Sequence, residues 1–307
     1  MEKNQYQLSD LQVKEIGPVV TLLVAQYQPD KIICFGCVSN NREAAGCFMG
    51  SESRFKSHYF LLMITKEAFR VEHDAQDYVN THFGGGTISI ISHGRKIIEQ
   101  AIVKNSRFFI TVYRDGCLLY TADGMPRSFE QLTLPEIDPI QTQTKAKKHY
   151  NSRWTMACGF LEAAAKCNEE AFYNNTVFLL HQAVEQTCIA LIRVCTGYRP
   201  DLHNLDRLLK LCLCFCPDLS IHFQLNTEEE IRLFQVLNAG YSDVRYKDDF
   251  NVSAEDAGIL MNQVDEFMVM AGVICQNKIE AYETLANLPH EHVMDYTPAL
   301  TALILDS

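Results

Sequence analysis

The sequence predicts two domains of different class: an α+β N-terminal domain built on a small mixed sheet, and an all-α helical bundle behind it. Three observations predict this. Short apolar runs bounded by Gly, Pro and polar loops (Lys31–Phe35, Tyr59–Ile64, Thr87–Ser92) recur through the first half. Past Pro135 and Pro139 such runs cease, and apolar residues recur at three-to-four spacing instead. The length, 307 residues, also suits two cores better than one. The expected boundaries are 1–127 for the first domain, 128–148 for a linker, 149–285 for the helical domain and 286–307 for a tail.

Asp10 to Gln26 carries Leu11, Val13, Ile16, Val19, Val20 and Leu23, the pattern of a packed helix disturbed by Gly17 and Pro18. Pro29 and Asp30 end it. Lys31–Phe35 then reads as a buried strand stopped by Gly36, and 39–57 as loop. Tyr59–Ile64 is a second strand, Arg70–His82 a helix, and Thr87–Ser92 a third strand after the Gly84-Gly85-Gly86 turn. Arg95–Asn105 is a short helix. Phe108–Tyr113 and Leu118–Tyr120 are expected to form a hairpin around Arg114-Asp115-Gly116. In the second half, helices are expected over Ser152–Lys166, Ala171–Cys195 and Leu205–Cys216. Thr227 with Glu230 makes a capping box that opens a helix to about Tyr241. Ser253 with Asp256 opens the last long helix, which runs to about Ala281.

The net charge is -11, so a general nucleic-acid-binding surface is excluded, and any phosphate contact must come from a local basic patch. One such patch is Lys145-Ala-Lys147-Lys148-His149-Tyr150-Asn-Ser-Arg153-Trp154, either a solvated linker or a phosphate-binding stretch with interleaved aromatics. The opening MEKNQYQLSDLQ has no apolar core, so no secretory signal is expected. No uninterrupted apolar run approaches a membrane span, and the expected location is cytoplasmic. Reduced, mostly buried thiols are the expected state of the 12 cysteines. Cys34 and Cys37 have CxxC spacing without a second ligand pair. Cys212, Cys214 and Cys216 alternate, which does not share one helix face, so structural roles are favoured over metal at both.

Three segments of the helical half carry a family resemblance. Tyr173-Asn-Asn-Thr-Val-Phe-Leu-Leu-His181-Gln182-Ala183-Val-Glu185-Gln186 resembles the second-helix signature of HEPN domains (higher eukaryotes and prokaryotes nucleotide-binding). Gly197-Tyr198 through His203-Asn204-Leu205 resembles that family's His-x-Leu segment, and Asn238-Ala-Gly-Tyr241-Ser-Asp243-Val-Arg245-Tyr246 its Ala-Arg-Tyr segment. The resemblance implies a helical bundle that binds nucleotide or RNA and pairs with a second copy of itself. Candidate binding residues on this basis are Arg245, Tyr246, Lys247, Tyr241, His203, His181 and Glu185. Active members carry Arg-x(4–6)-His, joining charge stabilisation to acid/base work. Here Arg245 is followed by no histidine at 250, 251 or 252, where Phe250, Asn251 and Val252 stand. Arg245, Tyr246 and Lys247 are then left to grip a phosphate and stack a base, or to line a helix–helix interface.

The first half is similar to the minimal nucleotidyltransferase fold often fused to HEPN domains. Strand Lys31–Phe35 is followed by Gly36-Cys37 where that family has its Gly-Ser pair. Ser57-His58-Tyr59-Phe60-Leu61 stands where it has Ser-Asp-x-Asp-Leu. Transfer there needs two carboxylates at i and i+2 to hold Mg²⁺. Here those positions are His58 and Phe60. The resemblance implies a vacated transferase site at Gly36, Cys37, His58 and Phe60, with no intact magnesium site and no required cofactor, though a nucleotide ligand remains open. The expected function is a non-catalytic or regulatory nucleotide- or RNA-binding protein, of the kind found in toxin–antitoxin, defence or mobile-element systems. The alternatives are a divergent ribonuclease using Arg245 with His181 or His203, and a dimeric scaffold.

Overall fold

The computed structural model describes residues 6–39, 43–46, 57–66, 71–84, 86–124, 134–221, 223 and 225–287. Cys47, the middle glycine of the 84–86 turn, most of the 39–57 loop and the tail from Leu288 lie outside the described residues. The chain divides into two compact units between Asp138 and Pro139.

The first unit opens with α1 (Asp10–Tyr27). Ser9 caps it: the Gln12 N–H donates to the Ser9 hydroxyl at 3.3 Å, and the Gln12 side chain accepts from the Ser9 N–H at 2.9 Å. β1 (Lys31–Ser39), β2 (Glu43–Gly46), β3 (Ser57–Thr65), α2 (Glu72–His82), β4 (Thr87–Gly94), α3 (Arg95–Val103), α4 (Arg107–Asp115) and β5 (Cys117–Thr121) follow. β3 pairs antiparallel with β1 and parallel with β4, α2 making the crossover. On its other edge β1 pairs antiparallel with β5 at its first half and with β2 at its second. The sheet is therefore mixed. Every residue of β3 is buried, as a strand covered on both faces must be. Ile16, Val19 and Leu23 of α1 and Ala75 and Val79 of α2 pack on Ile32, Tyr59, Leu61 and Ile88 on one face. On the other, Phe108 of α4 meets Phe35 edge-on at 5.5 Å.

Three expectations are corrected here. β1 does not stop at Gly36: a register shift between Cys34 and Gly36 leaves Phe35 as the extra residue, Gly36 pairs with Phe60, and the strand runs on to Ser39. The shift also turns Cys34 and Cys37 to the same face, where both join the α1-side core. The loop between β1 and β3 contains β2. The hairpin at 108–120 is a helix followed by a strand. Residues 108–113 are all buried, so the run carries no helical alternation for the sequence to display.

The second unit is helical throughout: α5 (Pro139–Glu169), α6 (Tyr173–Thr196), α7 (Leu205–Cys212), a 3-10 turn at Pro217–Ile221, α8 (Glu228–Ala239), α9 (Asp243–Tyr246) and α10 (Ala254–Asn287). α6 is the central helix, packed by α5 along its length and by α10. Gly197 ends it at φ 80°. Tyr282 of α10 then donates its hydroxyl to the carbonyls of Val194 and Cys195 at 3.1 and 3.2 Å, satisfying acceptors that the end of α6 leaves open. The capping box at Thr227 and Glu230 is present, and the Asp256 N–H donates to the Ser253 hydroxyl at 3.0 Å. By length and composition α6 and α10 could each cross a membrane, but 78% of the apolar window of α6 is buried inside the bundle. Residues 139–148, read from the sequence as linker, are the first turns of α5. The helix after Leu205 ends at Cys212, with 213–216 in turns. Among the described residues no His, Cys, Asp and Glu group has metal-binding geometry.

Candidate functional site

The residues singled out in the first unit converge, but on a filled place. Gly36 stands opposite Phe60, Cys37 opposite Tyr59 and Val38 opposite His58 in the β1–β3 register. Phe60 is fully buried, 5.9 Å from the Phe35 ring and 4.6 Å from that of His58. Both His58 nitrogens are engaged by β4: Nδ1 with the Thr87 hydroxyl, Nε2 with the Ser89 hydroxyl at 2.9 Å. Burial pushes the Cys37 thiol up to about 12, so it stays protonated and unreactive. What stands at the expected carboxylate positions is an aromatic plug tied to the next strand.

In the second unit the residues come together around one ring. Tyr241 sits in the turn after α8. His203 lies nearly parallel to it at 5.9 Å and 10°, Phe178 at 6.5 Å and 13°, and His181 at 5.5 Å and 26°. The Arg245 guanidinium lies 3.9 Å from the ring centroid, its Nε donating to the Tyr241 carbonyl at 2.7 Å. A guanidinium over a tyrosine face is a favourable cation–π pair. Its two terminal nitrogens have no protein partner among the described residues.

Behind this stack lies a buried carboxylate. Glu185 is 4% exposed; its Oε1 accepts from His203 Nδ1 at 3.3 Å and from Gln186 Nε2 at 3.2 Å, while its Oε2 is buried with no hydrogen-bond partner among the described residues. Burial raises the Glu185 pKa against the opposing pull of His203, Gln182 and Arg153. The His203 side chain is 63% exposed, so the pair has one wet and one dry end. His181 is 1% exposed, and its Nδ1 accepts from Gln182 at 3.2 Å. Burial first, then the charges of His203 and Arg245, lower its pKa to about 4, so it is neutral at pH 7.

Of the other expected binding residues, Tyr246 is 77% exposed, with Arg245 5.0 Å from its ring. Lys247 is paired with Asp243 at 2.7 Å in an exposed i,i+4 ion pair. The sequence did not single out two asparagines that hold the segments in place. Asn174 on α6 donates to the Phe250 carbonyl at 2.8 Å and accepts from the Val252 N–H at 2.9 Å, clamping the chain beyond Arg245. Asn238 on α8 accepts from the Leu205 N–H at 3.1 Å, fixing the stretch that carries His203. The Asn-Asn pair opening α6 was the available signal, since asparagine at a helix start often serves backbone rather than helix. Asn174→Ala strips two partners from one loop and is expected to cost about 1–3 kcal/mol in urea unfolding. A wild-type midpoint would show that the clamp holds nothing.

The family model of the HEPN domain matches residues 150–274, so the helical region carries a HEPN domain, as its three motif segments suggested. Among solved structures, a nucleotidyltransferase-like protein from Exiguobacterium sibiricum 255-15 is 11% identical to this chain. The match covers 96% of this chain and 88% of that one at a TM-score of 0.28, a likeness too low to carry the fold of the first unit. No curated protein matches the chain.

Proposed function

We propose that this HEPN domain binds a phosphate-bearing nucleotide or an RNA end at the Tyr241 stack, without turning it over. The observation that supports this most directly is Arg245: held over Tyr241 and by its carbonyl, it offers its terminal nitrogens outward. Two parallel N–H groups of a guanidinium suit two phosphate oxygens. The exposed faces of His203 and Tyr246 beside it suit a base. Against turnover stands the segment after Arg245, where the backbone at Phe250 and Val252 is occupied by Asn174 and supplies no histidine. The plug of His58 and Phe60 speaks against magnesium chemistry in the first unit. The wider reading is a regulatory protein of a defence, toxin–antitoxin or mobile-element system, working as a homodimer through its HEPN helices.

Thermal shift with a nucleotide and with a short RNA tests the binding. Ligand at a hundred times its Kd stabilises the native state by about 2.7 kcal/mol. Arg245→Ala is expected to remove that shift from the full chain. A variant that keeps the whole shift sinks the reading.

One observation favours a second reading, a divergent ribonuclease. Glu185 holds His203 by Nδ1, leaving Nε2 as a base beside Arg245. The 2′-oxygen would bond to phosphorus as His203 takes its proton, the bond to the 5′-oxygen would break, and the proton would return to that oxygen. RNA cleavage lost in both His203→Ala and Arg245→Ala would establish it over binding alone.

A further inference from the structure

The basic stretch of α5 is not absorbed by the Tyr241 stack. Lys145, His149 and Arg153 recur at four-residue spacing with Lys148 beside them, so they share one helix face. Across from them, Arg193 of α6 donates to His149 Nε2 at 3.0 Å, and Arg199 follows the helix end. A guanidinium can only donate, so His149 is the neutral acceptor here. Burial, Arg193, Lys148, Arg153 and Lys145 together lower its pKa to about 4. Arg193 itself is held down by burial and by the charges of Arg153 and Arg199.

Five cations are thus gathered in an acidic chain. Elsewhere in this unit Lys147, Lys166, Lys210, Arg232 and Lys247 each have a carboxylate partner. Lys145, Lys148, Arg153, Arg193 and Arg199 have none within salt-bridge distance among the described residues. The group also connects to the stack. Arg153 donates to Gln186 Oε1 at 2.7 Å, Gln186 donates to Glu185, and Glu185 accepts from His203. Tyr150 and Trp154 do not add base-stacking faces: they stack on each other at 5.3 Å, and Trp154 lies against Gly272 of α10.

We infer that Lys145, Lys148, Arg153, Arg193 and Arg199 form a phosphate track for a single-stranded nucleic acid, one end of which occupies the Tyr241 stack. This rests on the binding reading above and extends it from a nucleotide to a strand. Like charges held together without a carboxylate at salt-bridge distance are what a polyanion neutralises, releasing its own counterions as it binds. A strand rather than a duplex fits, because only unpaired bases can reach an aromatic and guanidinium stack.

The test is fluorescence anisotropy of the full chain with labelled oligo(U) and oligo(dT) of about 12 residues, a length one protein surface can span. The variants are the exposed triple Lys145→Gln/Lys148→Gln/Arg199→Gln, and Arg245→Ala. Each lost phosphate contact flattens the salt dependence by about 0.7, so the triple is expected to lower the slope by about 2 and to weaken binding about tenfold at moderate salt. Its thermal shift with ATP is expected to stay at the wild-type value. A preference between the two oligonucleotides assigns RNA or DNA within the same proposal. A triple variant with wild-type slope and affinity overturns the track and leaves the stack standing. An Arg245→Ala protein with an undiminished ATP shift instead removes the stack, and the track's anchor with it. Displacement of the oligonucleotide by polyglutamate of equal charge marks an acidic-protein surface and overturns the proposal.

Discussion

Restoring carboxylates at the two plugged positions, His58→Asp with Phe60→Asp, is expected to unfold the first unit rather than to create a magnesium site. Phe60 has no exposed surface and sits between Phe35 and His58 at the middle of a strand buried on both faces. A carboxylate there would be buried against the Phe35 ring, and an unpaired buried charge costs about 3–5 kcal/mol. Losing the His58 contact to the buried Ser89 strands a hydroxyl on β4 as well. Against a total stability of about 5–15 kcal/mol the double variant should lose most of its folded population at room temperature. Circular dichroism and urea unfolding, with and without magnesium, read the result. A double variant that keeps the wild-type midpoint and gains stability from magnesium would mean that the site is open and merely unoccupied by acid groups.

Acidification is the second large effect. In the folded chain His181 takes up its proton only near pH 4; unfolded, it does so near 6.5. Between these values the unfolded state holds the extra proton, so stability is full above about pH 6.5 and falls as the pH drops towards 4. The loss through His181 alone is about 3 kcal/mol. His149 acts in the same direction, with a smaller effect because it is partly exposed. Glu185 acts in the opposite one: its raised pKa makes the folded state the better proton acceptor as the pH falls. The difference between wild type and His181→Phe isolates the histidine, since phenylalanine keeps a ring beside Tyr241 and does not titrate. Urea midpoints from pH 7 to 4.5 should fall more steeply for wild type. Parallel curves would place the His181 proton at its ordinary pKa.

Much of this architecture was readable before any coordinates. The capping box at Thr227 and Glu230, the buried β3 run and the glycine stop after α6 each carry a local signal that tertiary structure did not override. α4 failed for a physical reason: the run Phe108 to Tyr113 is buried all round, and aromatic and β-branched residues prefer strands when nothing exposes a helical stripe. The start of α5 failed because it packs through alanines. Ala146, Ala157 and Ala164 are its buried residues, and alanine leaves almost no periodic apolar mark among polar neighbours. The site was legible as three separate segments. That Tyr241 gathers His181, His203 and Arg245 was not, because the ring's neighbours come from α6, the stretch before α7 and α9. Nor was the pairing of Lys247 with Asp243, although the spacing of four allowed it.

The double hydrogen bond from Tyr282 to the end of α6 also says something about birth rather than function. It joins residues 88 positions apart, so the central helix is not closed off until the last helix has been synthesised. At about 5–20 residues per second, α6 and α5 wait roughly 5–20 s as a partly covered hairpin on the ribosome. Through that interval the largely apolar side of α6 facing α10 is open to chaperones and to other nascent chains. A truncation before Tyr282 should therefore be lost to aggregation during translation sooner than its modest loss of buried area would suggest.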